Sequence, residues 1–292
     1  MSLFKGSGVA IITPFKNDEV DYERLAQFIE WHIQQETDAI IICGTTGETP
    51  CLTDEEQEKC IEFTVKKVQG RIPVIAGTGS NCTRDAVRMS KFAEDVGADG
   101  LLVMNPYYNK ATQKGIVQHF EAVNDAVKTP IIVYNVPGRT GTNIDVDTMV
   151  QLAELDNVKA VKEASGDIVQ VAEIARRCPD DFIIYSGNDN QVVPILSLGG
   201  QGVISVSANI IPKDMHEMVM NYLNGDVQKS TALQLKTNGL NQALFIESNP
   251  IPIKAAVHLM GYDTGEIRAP LTALEGENLE TLKAEMKSYG LL

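Results

Sequence analysis

Eight short, nearly unbroken apolar runs, each followed by a segment with helical spacing, constrain this chain more than any other feature. The runs are Val9–Ile12, Ala39–Cys43, Pro73–Ala76, Gly100–Met104, Ile131–Tyr134, Val158–Lys162, Phe182–Tyr185 and Gly202–Val206. A strand with one wet face alternates apolar and polar residues. A run that is apolar throughout suits a strand buried on both faces of a parallel sheet. Between the runs, Leu25, Phe28, Ile29 and His32 share one helical face, and Thr53 with Glu56 forms a capping box that opens the next helix. Pro212 suits the first turn of a helix running to about Asn224, where Gly225 can end it. Eight β-then-α units are the arithmetic of an α/β fold closed into a (β/α)8 TIM barrel. A doubly wound open sheet is the competitor. It normally uses fewer strands, and no dinucleotide fingerprint follows the first run.

From about Asp226 the strand signals stop. Three helices are expected, roughly Asp226–Glu247, Ile253–Met260 and Asn278–Tyr289, with Asn249-Pro-Ile-Pro252 breaking the first from the second. The expected organisation is a catalytic barrel over residues 1–225 and a C-terminal three-helix extension over residues 226–292, with no linker between them.

Charge and composition remove several functions. The formal net charge is −14, and phosphate backbones and anionic membranes both call for clustered Lys and Arg. No apolar run approaches the ~18 residues of a membrane span, and the first residues lack an apolar signal core. The five cysteines include no C-x-x-C pair. Reduced thiols in a cytoplasmic protein are the expectation, with neither a disulfide framework nor a zinc site. His32, His119, His216 and His258 have no metal-ligand spacing. Gly199–Gly202 precedes the eighth run, the wrong end of a barrel for phosphate, and reads as a tight turn. A glycosidase needs two flanking carboxylates; Glu48 and Glu163 are available, but the loop after the fourth run carries no acid before Thr112, and a single Trp offers little sugar-stacking surface.

A barrel places its chemistry at the C-terminal ends of its strands. Lys162 ends the sixth run, and strand alternation puts Val158, Ala160 and Lys162 on one face. A lysine desolvated at a barrel mouth favours the neutral amine, with a pKa of about 7–8, which can attack a ketone and form a Schiff base. The competing reading is a lysine that snorkels to the rim or pairs with Glu163. Tyr134, ending the fifth run, is either a proton relay for a carbinolamine at Lys162 or a barrel-layer tyrosine with a satisfied hydroxyl. Thr45 and Thr46 lie in a glycine-flanked turn that can hold a carboxylate or is simply a turn. Arg139 follows Pro137-Gly138, and its fork suits a second carboxylate unless it is a surface arginine. All four fall on one face of the expected barrel.

Longer motifs carry a resemblance. Gly44-Thr-Thr-Gly-Glu48, Asn105-Pro-Tyr-Tyr-Asn109, Tyr134-Asn-Val-Pro-Gly-Arg-Thr-Gly141, Val161-Lys-Glu-Ala-Ser-Gly-Asp167, Gly202-Val-Ile-Ser-Val206 and Asn249-Pro-Ile-Pro-Ile-Lys254 resemble signatures of the 4-hydroxy-tetrahydrodipicolinate synthase (dihydrodipicolinate synthase) family. That family lies within the pyruvate-dependent class I aldolase and N-acetylneuraminate lyase superfamily. The resemblance runs from about Gly6 to Leu292. Within the superfamily, Thr45-Thr46 and Arg139 favour the synthase over N-acetylneuraminate lyase or a 2-keto-3-deoxy sugar acid aldolase.

The resemblance implies condensation of pyruvate with L-aspartate 4-semialdehyde, in lysine and diaminopimelate biosynthesis, with Lys162 as the Schiff base. It implies a proton relay of Tyr134, Thr45 and Tyr108, with Tyr108 reaching in from a neighbouring subunit of a homotetramer. Thr46, Gly187 and the backbone near Ile204 are implied to bind substrate, and Arg139 the second carboxylate. No metal or organic cofactor is implied. At the effector site of lysine-inhibited members, Glu48, Asn81, Asp85 and Tyr107 remain candidates. Asp54 and Gln57 stand where histidines are common, so lysine inhibition is expected to be weak or absent.

Overall fold

The computed structural model describes residues 3–292. Eight parallel strands close into a barrel: β1 (Gly6–Ala10), β2 (Ala39–Ile42), β3 (Val74–Gly77), β4 (Gly100–Met104), β5 (Ile131–Asn135), β6 (Val158–Glu163), β7 (Ile183–Ser186) and β8 (Gly202–Ser205). Each pairs with the next in sequence, and β8 returns to β1 through Gly6 and Gly202. The helices between them are α1 (Tyr22–Gln34), α2 (Asp54–Val68), α3 (Thr83–Asp95), α4 (Gln113–Asn124), α5 (Val146–Ala153), α6 (Ile168–Arg177), α7 (Val192–Ser197) and α8 (Pro212–Leu223). The capping box at Thr53 and Glu56 opens α2, each side chain bonding the other residue's backbone N–H.

Strand residues divide between two apolar layers. Ile41, Ile75, Leu102, Ile132, Tyr185 and Ile204 fill the barrel interior. Ile40, Ile42, Leu101, Val103, Val133 and Val161 face outward into the cluster with Leu25, Ile61, Ile116 and Ile174 of the helices. Phe4 closes the base, stacked on Tyr185 at 4.4 Å and accepting that residue's hydroxyl on its carbonyl at 2.8 Å.

Two local expectations are corrected. The first strand lies three residues earlier than its apolar run. Its start is held by small residues rather than by apolar side chains: a Cβ at Gly202 would sit 2.3 Å from the Gly6 carbonyl oxygen, and one at Gly8 would sit 2.5 Å from Ile41. At the other end, the Ile12 amide leaves the sheet for the Asn209 side chain. Second, Val158 does not share a face with Ala160 and Lys162. The pairing of β5 with β6 shifts by one residue after Ile131–Val158. That bulge sends Val158 into the outer layer and Ala160 into the interior.

After Gly225 come α9 (Val227–Ala243), α10 (Ile251–Leu259) and α11 (Gly276–Tyr289). Helix α10 starts two residues earlier than expected, because Pro252 lies in its first turn, where its missing N–H costs nothing. The extension reaches the barrel mouth by side chains. From α9, the Gln234 amide donates to the Asp189 carbonyl, and Asn241 accepts the Ser207 hydroxyl. No helix among the described residues is long and apolar enough to cross a membrane.

Candidate active site

Lys162 and Tyr134 are register partners at the C-terminal ends of β6 and β5. Both are buried, at 5% and 6% exposure. The lysine nitrogen lies 4.3 Å from the centre of the tyrosine ring. Lys162 has no hydrogen-bond or ion-pair partner among the described residues. Burial therefore acts on it nearly unopposed and pulls its pKa down to about 7. Asp189 works against that shift and Arg139 adds to it. At neutral pH a large fraction of the amine is unprotonated. Burial raises the Tyr134 phenol, against the opposing influence of Arg139 and a hydrogen bond with Thr45.

Glu163 does not pair with Lys162. Its carboxylate accepts hydrogen bonds from the Asn135 side chain, the Ser165 amide and the Gln170 side chain. Burial raises its pKa, and those bonds offset part of the rise. Asn135 and Glu163 directly follow Tyr134 and Lys162, so this network ties together the strand ends that carry those two side chains.

Thr45–Gly47 forms one turn of 3-10 helix. The Thr46 hydroxyl is buried and accepts a bond from the Asn249 amide at 3.0 Å. Arg139 lies in the single turn Pro137–Thr140 and donates to the Asn249 carbonyl at 3.0 Å. Asn249 thus joins two residues 93 positions apart in sequence. Sequence reasoning quoted its motif but gave it no role. The only signal was a polar residue just ahead of a proline-rich helix start. Gly187 packs against the lysine stem: a Cβ there would lie 3.2 Å from Lys162 Cγ and 2.7 Å from Ala164. Ile204 is fully buried in the interior layer.

Asp189 was also unassigned. It is 2% exposed, and one oxygen accepts from the amides of Val206 and Ser207 and from the Ser207 hydroxyl. It therefore fixes the loop leaving β8 while its charge acts on Lys162.

A cavity of about 350 Å³ opens at this cluster, lined by Thr45, Val136, Arg139 and Thr140 together with Gln57, Asp85, Arg88 and Tyr107. Lys162 and Tyr134 are not among its lining residues.

Of the effector candidates, Asp85 and Tyr107 line this cavity. Asn81 uses its carbonyl to accept from Asn109. Glu48 departs from the expectation that it is available to a ligand. Its side chain is fully buried, and its carboxylate holds Lys254 at 2.7 Å and the Arg268 amide at 2.9 Å. Asp54 pairs with Arg88, and Gln57 donates to the Gly77 carbonyl. Tyr108 is not brought to Lys162 within the chain: it is 89% exposed, on backbone with φ of 70°.

Fold and site together define the class, a (β/α)8 barrel enzyme with a desolvated amine and a phenol at its mouth. The chain belongs to the dihydrodipicolinate synthetase family, whose model matches residues 3–289. It is 60% identical to the 4-hydroxy-tetrahydrodipicolinate synthase of Thermoanaerobacter sp. (strain X514), over 100% of this chain and 99% of that one. Among solved structures it resembles dihydrodipicolinate synthase from Aquifex aeolicus, with a TM-score of 0.97, 48% identity and 99% of each chain covered. It also resembles the chloride-inhibited dihydrodipicolinate synthase from Acinetobacter baumannii complexed with pyruvate, with a TM-score of 0.96, 43% identity and 99% of each chain covered.

Proposed function

We propose that this enzyme condenses pyruvate with L-aspartate 4-semialdehyde to give 4-hydroxy-tetrahydrodipicolinate, in lysine and diaminopimelate biosynthesis in the cytoplasm. The observation that carries the reading is the buried Lys162 amine, 4.3 Å from the centre of the Tyr134 ring, with no ion-pair partner among the described residues. The family and the names of its relatives support the choice of substrates.

The neutral amine attacks the keto carbon of pyruvate. The carbinolamine gains a proton on its hydroxyl and loses water, leaving an imine. On this reading Tyr134, with Thr45 beside it, moves that proton. Loss of a methyl proton gives the enamine, whose carbon attacks the aldehyde of the second substrate. The amine of that substrate then adds to the imine carbon. The carbon–nitrogen bond to Lys162 breaks, the ring closes and the lysine is free for another turnover. Thr46 and the backbone near Ile204 take the pyruvate carboxylate, Gly187 lines the substrate site, and Arg139 takes the carboxylate of the second substrate. No step calls on a metal or organic cofactor. The working assembly on this reading is a homotetramer, with Tyr108 completing the relay of a neighbouring subunit.

Borohydride reduction with pyruvate should leave a stable pyruvyl adduct on Lys162, read by peptide mass spectrometry. Absence of the adduct removes the mechanism. Turnover with aspartate semialdehyde should far exceed that with N-acetylneuraminate or 2-keto-3-deoxygluconate, and the reverse ranking would assign the chain to the sugar-acid branch. With Asp54 and Gln57 engaged by Arg88 and Gly77, submillimolar lysine should leave most of the activity intact. Strong inhibition in a steady-state assay would overturn that expectation.

A further inference from the structure

Glu48 is a non-glycine residue in the left-handed region, with φ of 56°, and it joins two consecutive 3-10 turns, Thr45–Gly47 and Thr49–Cys51. Its amide donates to the Thr45 carbonyl, and its own carbonyl accepts from Cys51. The backbone at Glu48 therefore sets where Thr45 and Thr46 point. Left-handed backbone is unfavourable for such a residue unless its surroundings hold it there.

What holds it comes from the C-terminal extension. Lys254 of α10 is 4% exposed and donates to the Glu48 carboxylate and to the Glu266 carbonyl, each at 2.7 Å. The other carboxylate oxygen takes the Arg268 amide. Lys254 and the Arg268 guanidinium both lie against the Phe15 ring, at 4.5 Å and 4.1 Å. A buried carboxylate needs such partners to remain charged and in place.

We propose that Lys254 is a positioning residue: by fixing Glu48, it orients the Thr45–Thr46 turn toward the keto acid held at Lys162. It touches neither substrate nor the reacting atoms. This inference rests on the pyruvate reading above. It gives the C-terminal extension a part in the chemistry of a site carried by the barrel strands.

The test uses full-length Lys254→Met and the charge-neutral double variant Glu48→Gln/Lys254→Met, which leaves no buried charge unpaired and so keeps the test open if the single variant does not fold. A misplacement of an ångström at a reacting centre can cost ~100-fold. In folded variants the Michaelis constant for pyruvate should rise, and the rate of borohydride-trappable imine formation should fall, each by about tenfold or more. The Michaelis constant for aspartate semialdehyde should change less than that for pyruvate, because Arg139 is held by the Asn249 backbone carbonyl whereas Thr46 meets only the Asn249 side chain. A general loss of structure would move both constants together. Wild-type pyruvate kinetics in either folded variant, or parallel changes for both substrates, overturn the proposal. If the unmodified enzyme traps no pyruvate at all, the failure belongs to the functional reading instead.

Discussion

Lys162 and Lys254 are 5% and 4% exposed, and each rests against an aromatic ring, at 4.3 Å from Tyr134 and 4.5 Å from Phe15. Burial lowers the pKa of both. Their partners differ. Lys254 has a carboxylate oxygen and a carbonyl oxygen at 2.7 Å, which satisfy and stabilise an ammonium. Lys162 has no such partner among the described residues, and the carboxylate that acts on it is Asp189, whose bonds go to the loop after β8. Burial alone does not separate the two lysines; the counter-ion in contact does, because it stabilises the ammonium that burial disfavours.

The contrast can be broken first through activity. Lys162→Ala should lose at least about a thousandfold in turnover and all of the borohydride adduct, because no other group supplies the bond-forming nitrogen. Residual trapping at another lysine would end the distinction between the two.

Stability gives the next largest effect, with opposite outcomes. Lys254→Met leaves the Glu48 carboxylate buried and unpaired and should cost about 3–5 kcal/mol in chemical denaturation. Lys162→Met removes a buried amine that has no hydrogen-bond or ion-pair partner among the described residues and should be neutral or stabilising. Its gain has a definite pH dependence. The folded pKa of Lys162 is about 7 against 10.5 for the free side chain, so between these values the unfolded chain binds the extra proton. Wild-type stability from this group therefore rises with pH across that window. The advantage of Lys162→Met should be on the order of a few kcal/mol below pH 7 and fade toward pH 10.5. An advantage that grew with pH would contradict the assignment.

The smallest effects are shifts in titration. The pH profile of imine formation should rise through about pH 7 as Lys162 loses its proton. Asp189→Asn removes a charge that favours the ammonium, so the rise should move to lower pH. Arg139→Ala removes a charge that disfavours it, so the rise should move to higher pH. Shifts in the same direction for both would mean that general rearrangement, rather than charge, sets the amine. Arg139→Ala should also weaken aspartate semialdehyde more than pyruvate, as read from the two Michaelis constants.

Much of this was legible in the residues because strand burial is local. A parallel strand covered on both faces must be apolar along its length, so eight such runs announced eight strands, and the mouth residues followed from where the runs end. Two strand details stayed hidden. The bulge at Val158 adds one residue to a period of two and leaves no mark in composition. The start of β1 is specified by the absence of side chains at Gly6, Gly8 and Gly202, which an apolar scan passes over.

By itself the sequence determined the barrel and the face at which Lys162, Tyr134, Thr45 and Arg139 gather. Only the tertiary structure decided that Glu163 braces strand ends instead of neutralising Lys162, and that Glu48 belongs to Lys254, 206 residues away. It also decided that Asn249 links Thr46 to Arg139 and that Asp189 acts on the amine. The division has a physical cause. Strand and helix patterns are set by neighbours two to four residues apart, whereas the charge state of a buried group is set by whatever the fold brings within a few ångströms.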